Sequence, residues 1–219
     1  MGSGDLVSGG FDCEVVLWEH STGRRKAHNH LGINSDGTSM GINPPWIHSL
    51  AYACNGRSLL CATGDGGVCL REASTLRLLA REEAHRSFTS CIHVPFDRDC
   101  AGDVAGRVAF SGGNDGKVHA WRIQDSAKPA KRKKGKNRNN AAGGGSGSSS
   151  GQDLISLWTL DHGEKINAIA TWAGSTVRRA NVSLGSTDDE LDQQAQLDAT
   201  RSFHLFVCDT SKEVSCYTY

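Results

Sequence analysis

The sequence predicts an all-β fold built from one repeated antiparallel hairpin. The pattern is clearest in "VAFSGGNDGKVHAW", residues 108–121, where apolar residues alternate on both sides of Asn114-Asp115-Gly116, a cluster suited to positive φ. The same pattern recurs in "LVSGGFDCEVVLW", residues 6–18, and in a weaker form in "LLCATGDGGVCLR", residues 59–71. Three copies of one hairpin indicate a structural repeat.

The glycine-rich run before Lys117 has an alternative interpretation as a phosphate-binding loop. Such a loop needs G-x-x-x-x-G-K followed by Ser or Thr, because backbone N–H groups wrap the phosphates and the hydroxyl binds magnesium. Here Ser111 stands in place of the first glycine, and Val118 stands in place of the hydroxyl residue. The hairpin interpretation is therefore favoured over nucleotide binding.

Three anchor positions keep constant offsets through the copies. They are Asp12, Val15 and Trp18 in the first copy, Asp65, Val68 and Arg71 in the second, and Asp115, Val118 and Trp121 in the third. A fourth, looser copy in "LFVCDTSKEVSCYTY" keeps Val214 and Tyr217, with Ser211 at the position of the turn aspartate. Successive copies lie about 50 residues apart, except that the last gap is much longer.

Two polar insertions account for the long gap. Residues 125–152 are a basic run followed by a Gly/Ser tract, which has no apolar face and predicts disorder, and residues 174–200 are a second polar insertion. Without these insertions, the spacing between the anchor positions of the third and fourth copies is about 41 residues, within the period of a four-stranded propeller blade. We therefore predict blades over 1–124, a disordered insert over 125–152 and a last blade over 153–219.

The predicted fold class is an all-β partial β-propeller of about 3.5 blades, with 14 strands distributed over the blades as three, four, four and three. A seven-bladed ring needs 28 strands, so about 140–160 residues would be missing. On this basis we expect the chain to be part of a larger propeller, with further blades encoded upstream. An open arc exposes apolar faces and unpaired edges, so we also expect association or marginal folding.

These residues resemble the WD-repeat family, whose blades carry S-G-G-x-D-x-x-V-x-x-W and a histidine before the inner strand. The resemblance implies a hydrogen-bonded structural tetrad of His85, Ser111, Asp115 and Trp121. The fourth blade keeps His162, whereas the second lacks a histidine at that offset. The resemblance further implies a non-catalytic platform for protein partners, with recruitment of substrates to a cullin-RING ubiquitin ligase as one such role.

Composition excludes several classes of function. The 24 basic and 24 acidic side chains give no overall field for nucleic acid or membranes, and no apolar stretch is long enough to span a bilayer. No catalytic signature occurs, the eight cysteines lack zinc-knuckle spacing, and His28 and His30 lie beside cationic residues. We expect no enzyme activity, cofactor or metal, and a location in the nucleus or cytoplasm.

Two features suggest where function lies. Lys131, Arg132, Lys133 and Lys134 form the centre of the basic run, which is typical of a nuclear-import signal. A solvated loop and a non-specific, salt-sensitive nucleic-acid contact are the alternatives. Trp46, Phe88 and Lys165 precede predicted inner strands and mark a candidate partner face, although aromatic residues at such positions also pack between blades.

Overall fold

The computed structural model describes residues 5–32, 43–95, 106–125, 152–177, 199–211 and 214–218, and all regular elements in these ranges are β-strands. The strands are β1 Leu6–Gly9, β2 Glu14–Trp18, β3 Arg25–His30, β4 Ile47–Ala53, β5 Ser58–Thr63, β6 Gly67–Glu72, β7 Leu78–Glu83, β8 Thr89–His93, β9 Val108–Gly113, β10 Lys117–Asp125, β11 Gln152–Asp161, β12 Ala168–Val177, β13 Ala199–Cys208 and β14 Val214–Thr218.

The 14 strands form four antiparallel sheets, each a simple meander. Sheet 1 contains β1–β3, sheet 2 contains β4–β7, sheet 3 contains β8–β11, and sheet 4 contains β12–β14. Within each sheet, strands adjacent in sequence are hydrogen-bonded neighbours. The predicted all-β fold, and its division into three, four, four and three strands, are confirmed.

The sheets repeat their register as well as their strand order. The residue pairs Gly9–Val15, Ala62–Val68, Gly112–Val118 and Cys208–Val214 occupy equivalent positions in sheets 1 to 4. A bulge precedes the last anchor position in three of them, at Trp18, Arg71 and Trp121. These pairs provide a common frame in which residues of different sheets can be compared.

Three hydrophobic clusters lie between successive sheets. Side chains alternate between the two faces of a strand, so the buried apolar strand β5 contributes to two clusters: Leu59 and Cys61 face sheet 1, whereas Leu60 and Ala62 face sheet 3. A third cluster joins sheets 3 and 4 around Ile166. Each large side chain buried in this way contributes about 1.5–3 kcal/mol.

The sheets are arranged radially. The first strands β4 and β8 contact each other, β8 contacts β12, and the outer strands β7 and β11 also meet. Each sheet thus packs face to face on the next with its first strand toward one side of the arc. This is the blade arrangement of a partial β-propeller.

Both predicted insertions begin and end inside strand pairs. Asp125 is the last residue of β10 and pairs with Gln152, the first residue of β11, so the segment between them is an insertion within sheet 3. The second insertion lies within the β12–β13 hairpin, whose pairing extends to Val177 and Ala199. The predicted import residues Lys131–Lys134 lie outside the described residues.

Of the seven cysteines that the structure describes, five are buried and two, Cys208 and Cys216, are exposed, and all seven are free thiols. Burial raises the pKa of Cys61 to about 12 and that of Cys91 to about 11, which makes these thiols unreactive. The part of the chain that the structure describes contains no helix that could cross a membrane.

Candidate functional site

The structure joins His85, Ser111, Asp115 and Trp121 in one hydrogen-bonded chain. Trp121 Nε1 donates to Ser111 Oγ over 2.9 Å, and Ser111 Oγ lies 3.0 Å from His85 Nε2. His85 Nδ1 lies 2.9 Å from Asp115 Oδ1, and Asp115 also accepts hydrogen bonds from the backbone N–H groups of Arg86 and Lys117. The chain links the loop before β8, strands β9 and β10, and the turn between them.

The donors and acceptors assign a protonation state to His85. Burial lowers the pKa of His85, which keeps the imidazole neutral at pH 7. Burial opposes ionisation of Asp115, but hydrogen bonds from His85 and Arg86 outweigh it and lower the pKa of this carboxyl. These contacts are all satisfied when His85 Nδ1 carries the proton and donates it to Asp115 in a hydrogen bond, while His85 Nε2 accepts a hydrogen bond from the Ser111 hydroxyl.

The connectivity of Ser111, His85 and Asp115 is that of a serine-hydrolase triad, but the environment differs. Ser111 is fully buried, and its oxygen also accepts the hydrogen bond of Trp121. A nucleophilic serine must be reached by a substrate carbonyl, and this hydroxyl has no access to one. The four residues therefore form a structural tie.

Glycine is required where the chain passes His85. A Cβ atom on Gly113 would lie 2.3 Å from His85 Nδ1, and one on Gly66 would lie 2.3 Å from the His85 carbonyl oxygen. Gly66 also has a φ of +87°. The glycines of the two turns thus make room for the histidine.

Sheet 1 contains the equivalent tryptophan–serine pair. Trp18 Nε1 donates to Ser8 Oγ over 2.9 Å, the same distance as in sheet 3. The turn carboxylate of Asp12 accepts the backbone N–H of Glu14. In the register of sheet 1, Asp12 and Trp18 thus correspond to Asp115 and Trp121 of sheet 3.

Sheet 2 has a different set of partners around its turn aspartate. Asp65 Oδ1 accepts from Thr63 Oγ1 over 2.6 Å, and Asp65 Oδ2 forms a 2.6 Å ion pair with Arg81 Nη2. Thr63 occupies the position of Gly113, and Arg81 lies on β7. In sheet 2 the turn carboxylate is thus bound by a threonine and an arginine, whereas in sheet 3 the equivalent carboxylate is bound by a histidine.

Sheet 4 holds its histidine with a carboxylate that the sequence pattern did not indicate. His162 Nε2 lies 2.7 Å from Asp209 Oδ2, and His162 Nδ1 lies 2.7 Å from Tyr217 Oη. Ser211 occupies the predicted turn position, but its backbone N–H donates to Asp209 Oδ1 over 2.6 Å. The partner of His162 is therefore Asp209, two residues before the position that constant offsets favour.

His119 lies against the tetrad of sheet 3. Its ring centroid is 4.7 Å from that of His85, and its Nδ1 lies 2.8 Å from Thr159 Oγ1. Burial lowers the pKa of His119 to about 4, and electrostatic interaction with the His85 ring adds to this shift. His119 Nε2 is a buried atom for which the described residues provide no hydrogen-bond partner.

The predicted partner-face residues occupy equivalent positions in three sheets. The carbonyl groups of Trp46 and Phe88 accept hydrogen bonds from Gly64 and Asn114, which are equivalent turn residues. Lys165 has the same position in sheet 4, because it precedes Ile166 as Trp46 precedes Ile47. Trp46 and Phe88 are half-buried, and Lys165 is exposed. The two aromatic rings contact each other, with centroids 6.1 Å apart.

Phe11 and His48 extend this contact into a cluster of four rings. The centroid of Phe11 is 5.8 Å from that of Trp46 and 5.5 Å from that of His48, and His48 stacks on Phe88 at 5.8 Å. We call Phe11, Trp46, His48 and Phe88 the aromatic rim cluster. Sequence reasoning missed Phe11 and His48, although Phe11 stands within the turn "GGFDC", where a side chain has little to pack against.

The described side chains contain no group of three or more His, Cys, Asp or Glu residues placed to hold a metal ion. Ser111 and Asp115 are held in internal hydrogen bonds, whereas Phe11 is 71% exposed. The arrangement thus combines a rigid framework of buried polar ties with an accessible aromatic surface on the turns.

No protein-family model matches the sequence, and no curated protein matches it. Among solved structures, the chain is similar to the crystal structure of RRP9 WD40 repeats, with a TM-score of 0.43 and 17% identical residues. The similarity covers 54% of this chain and 32% of that chain. The chain therefore matches about a third of the length of that protein.

Proposed function

We propose that the chain belongs to the WD-repeat family and is a non-catalytic platform that binds other proteins at the rim formed by its turns. The observation that carries this proposal is the aromatic rim cluster, which brings together residues from three sheets. Phe11 belongs to the turn of sheet 1, Trp46 and His48 to the start of sheet 2, and Phe88 to the loop before sheet 3. Exposed aromatic residues on a rigid framework are typical anchors of protein interfaces.

Quantitative affinity purification of the full-length protein tests this function. The variant Phe11→Ser removes the most exposed ring, and Leu6→Ser is the matched control because Leu6 is also exposed, at the opposite end of β1. We expect the Phe11 variant to lose partners that the Leu6 variant keeps, with both variants folded. Equal recovery of all partners would place the binding surface elsewhere, and recovery of none by the parent protein would contradict the platform.

A finer proposal is that the protein is a substrate adaptor of a cullin-RING ubiquitin ligase. Its support is the resemblance of the segment order to the C-terminal part of WD repeat-containing protein fifty-three. The docking signature Trp-Asp-x-Arg of such adaptors is replaced by Trp18-Glu19-His20-Ser21 and by Trp121-Arg122-Ile123-Gln124. Co-purification of a cullin with the protein at endogenous levels tests this role, and its absence would contradict it.

The basic insert supports a second candidate function, a nuclear factor that contacts RNA or chromatin through an electrostatic arm. Seven cationic residues occur in eleven positions: Lys128, Lys131, Arg132, Lys133, Lys134, Lys136 and Arg138. Deletion of residues 128–138 should abolish a nucleic-acid affinity that falls steeply with salt. Replacement of Lys131, Arg132, Lys133 and Lys134 by alanine should separately shift a fluorescent fusion toward the cytoplasm; unchanged affinity and distribution would remove this candidate.

A further inference from the structure

The aromatic rim cluster is a closed circuit of four rings. Each ring contacts two others at centroid distances of 5.5–6.1 Å, in the order Phe11, Trp46, Phe88, His48. Three of the four contacts are edge-to-face, and the contact of His48 with Phe88 is stacked. Phe11 is the most exposed member, so an incoming apolar side chain would meet this ring first.

The charge beside the cluster is asymmetric. On the side of sheets 3 and 4 lie the cations Arg86, Lys117 and Lys165, and no described carboxylate forms an ion pair with any of them. The nearby Asp115 is bound to His85, Asp161 lies opposite Lys117 on β11 without forming an ion pair with it, and Glu164 is exposed beside Lys165. Asp12 lies on the opposite side, next to Phe11.

Lys165 stands before β12 as Phe88 stands before β8, so both lie on the same rim of the sheets. Burial, followed by the positive charge of Lys165, lowers the pKa of His48, which keeps this ring neutral at pH 7. His48 stacks on Phe88, so the ammonium group and the stacked pair share one region of the rim. Arg86 stands two residues before Phe88 and is exposed.

We infer that the rim binds a short segment of a partner protein in which one aromatic or large aliphatic side chain is flanked on one side by acidic residues. The apolar side chain packs against Phe11 and the cluster, and the acidic residues lie over Arg86, Lys117 and Lys165. Asp12 disfavours acidic residues on the other flank. This inference rests on the proposed platform function and specifies the chemistry of its ligand.

Single-stranded nucleic acid also combines aromatic stacking with cations, but it fits this site less well. Successive bases need ring faces that are open to stacking. Three of the four ring contacts in the cluster are edge-to-face, so the rings do not form a row of parallel faces, and Asp12 would repel a phosphate beside Phe11. The observations therefore favour an acidic peptide.

Fluorescence anisotropy with the full 219-residue chain and defined peptides tests the inference. The probes are two labelled ten-residue peptides with one phenylalanine, one with a glutamate block before it and a Gly/Ser block after it, and one with the blocks exchanged. Two control peptides replace the phenylalanine by serine or the glutamates by lysines. We expect at least one probe to bind, and both of its controls to bind at least tenfold more weakly.

Protein variants locate the site. Phe11→Ser and Lys165→Glu change exposed residues and should each weaken binding by at least fivefold without altering the melting temperature. Leu6→Ser and Arg122→Glu change exposed residues at a distance from the turns and should bind as the parent does. Equal affinity of the Phe11 and Leu6 variants, or tighter binding of the lysine peptide or of a labelled oligouridine, would overturn the inference.

The outcome is distinguishable from failure of the platform function. If affinity purification recovers partners that depend on Phe11, but neither acidic probe binds, the platform stands and the proposed ligand chemistry is wrong. If partners are recovered but none depends on the rim, the rim is not the binding surface, and if the parent protein recovers no partner, the platform function itself fails.

Discussion

Asp209 of sheet 4 occupies the position that Gly113 occupies in sheet 3, since each directly follows the strand residue paired with the anchor valine. In sheet 3 this position must be glycine because the His85 ring fills the space, and the carboxylate comes from Asp115 instead. In sheet 4 the carboxylate of Asp209 itself meets the histidine. The carboxylate that binds the histidine thus comes from one turn position in sheet 3 and from another, two residues earlier, in sheet 4.

Asp209→Ala should destabilise the protein more than Ser211→Ala, because the side chain of Asp209, and not that of Ser211, binds the His162 ring. Hydrogen bonds from Ser211 and His162 lower the pKa of Asp209 from 3.8 to about 2. Its folded pKa lies below the unfolded value, so its contribution is present above pH 4 and is lost as the pH falls toward 2. Thermal denaturation between pH 2 and 7 measures both effects, and equal melting temperatures for the two variants would reassign the partner of His162.

Asp115→Ala should reduce the free energy of unfolding by about 1–3 kcal/mol, because it leaves the buried His85 Nδ1 and two backbone N–H groups without their acceptor. Asp115→Asn is the control and should cost less, since its amide oxygen can still accept. Urea denaturation gives the values. An unchanged midpoint for the alanine variant would contradict a structural role for the tetrad.

Gly113→Ala should be strongly destabilising, by at least about 3 kcal/mol, because its Cβ would overlap the His85 ring at 2.3 Å. Gly10→Ala is the matched control, since Gly10 holds the same position in sheet 1 and the nearest atom to its Cβ, Asp12 Oδ1, is 3.3 Å away. Comparison of the two melting temperatures checks the repeat directly. Similar losses in both variants would contradict the assigned register.

Stability should fall as the pH is lowered from 6.5 to 4 because of His119. Its folded pKa of about 4 is below the unfolded value of 6.5, so the unfolded chain binds more protons in this window. The effect amounts to about 2 kcal/mol after allowance for partial solvent exposure. His119→Asn should flatten this part of the profile, and an unaltered slope would assign it to other groups.

Self-association should depend on Trp172. This side chain is 51% exposed and stacks on His204 on the face of sheet 4 that points away from sheet 3. Exposed aromatic surface beside an edge strand favours association. Trp172→Thr should lower the concentration-dependent light scattering of the protein, whereas scattering equal to that of the parent would exclude this face.

The strand pattern was readable from the sequence because anchor valines and turn residues recur at constant offsets. The same offsets predicted the turn position at Ser211 and not at Asp209. A repeat pattern does not reveal which of two turn residues contacts a histidine from a distant loop. Phe11 and His48 were missed for a similar reason. Their contact with Trp46 and Phe88 depends on how neighbouring sheets pack, which local spacing does not encode.

His85, bound to Ser111 and Asp115, is part of a closed structural tie and is not a reactive group. Nitrogen-15 NMR of the His85 ring tests this claim most directly. We predict one neutral tautomer at pH 7, with the proton on Nδ1 in slow exchange with solvent, because the His85 side chain is fully buried. A ring that is protonated, or that exchanges rapidly between tautomers, would contradict the account.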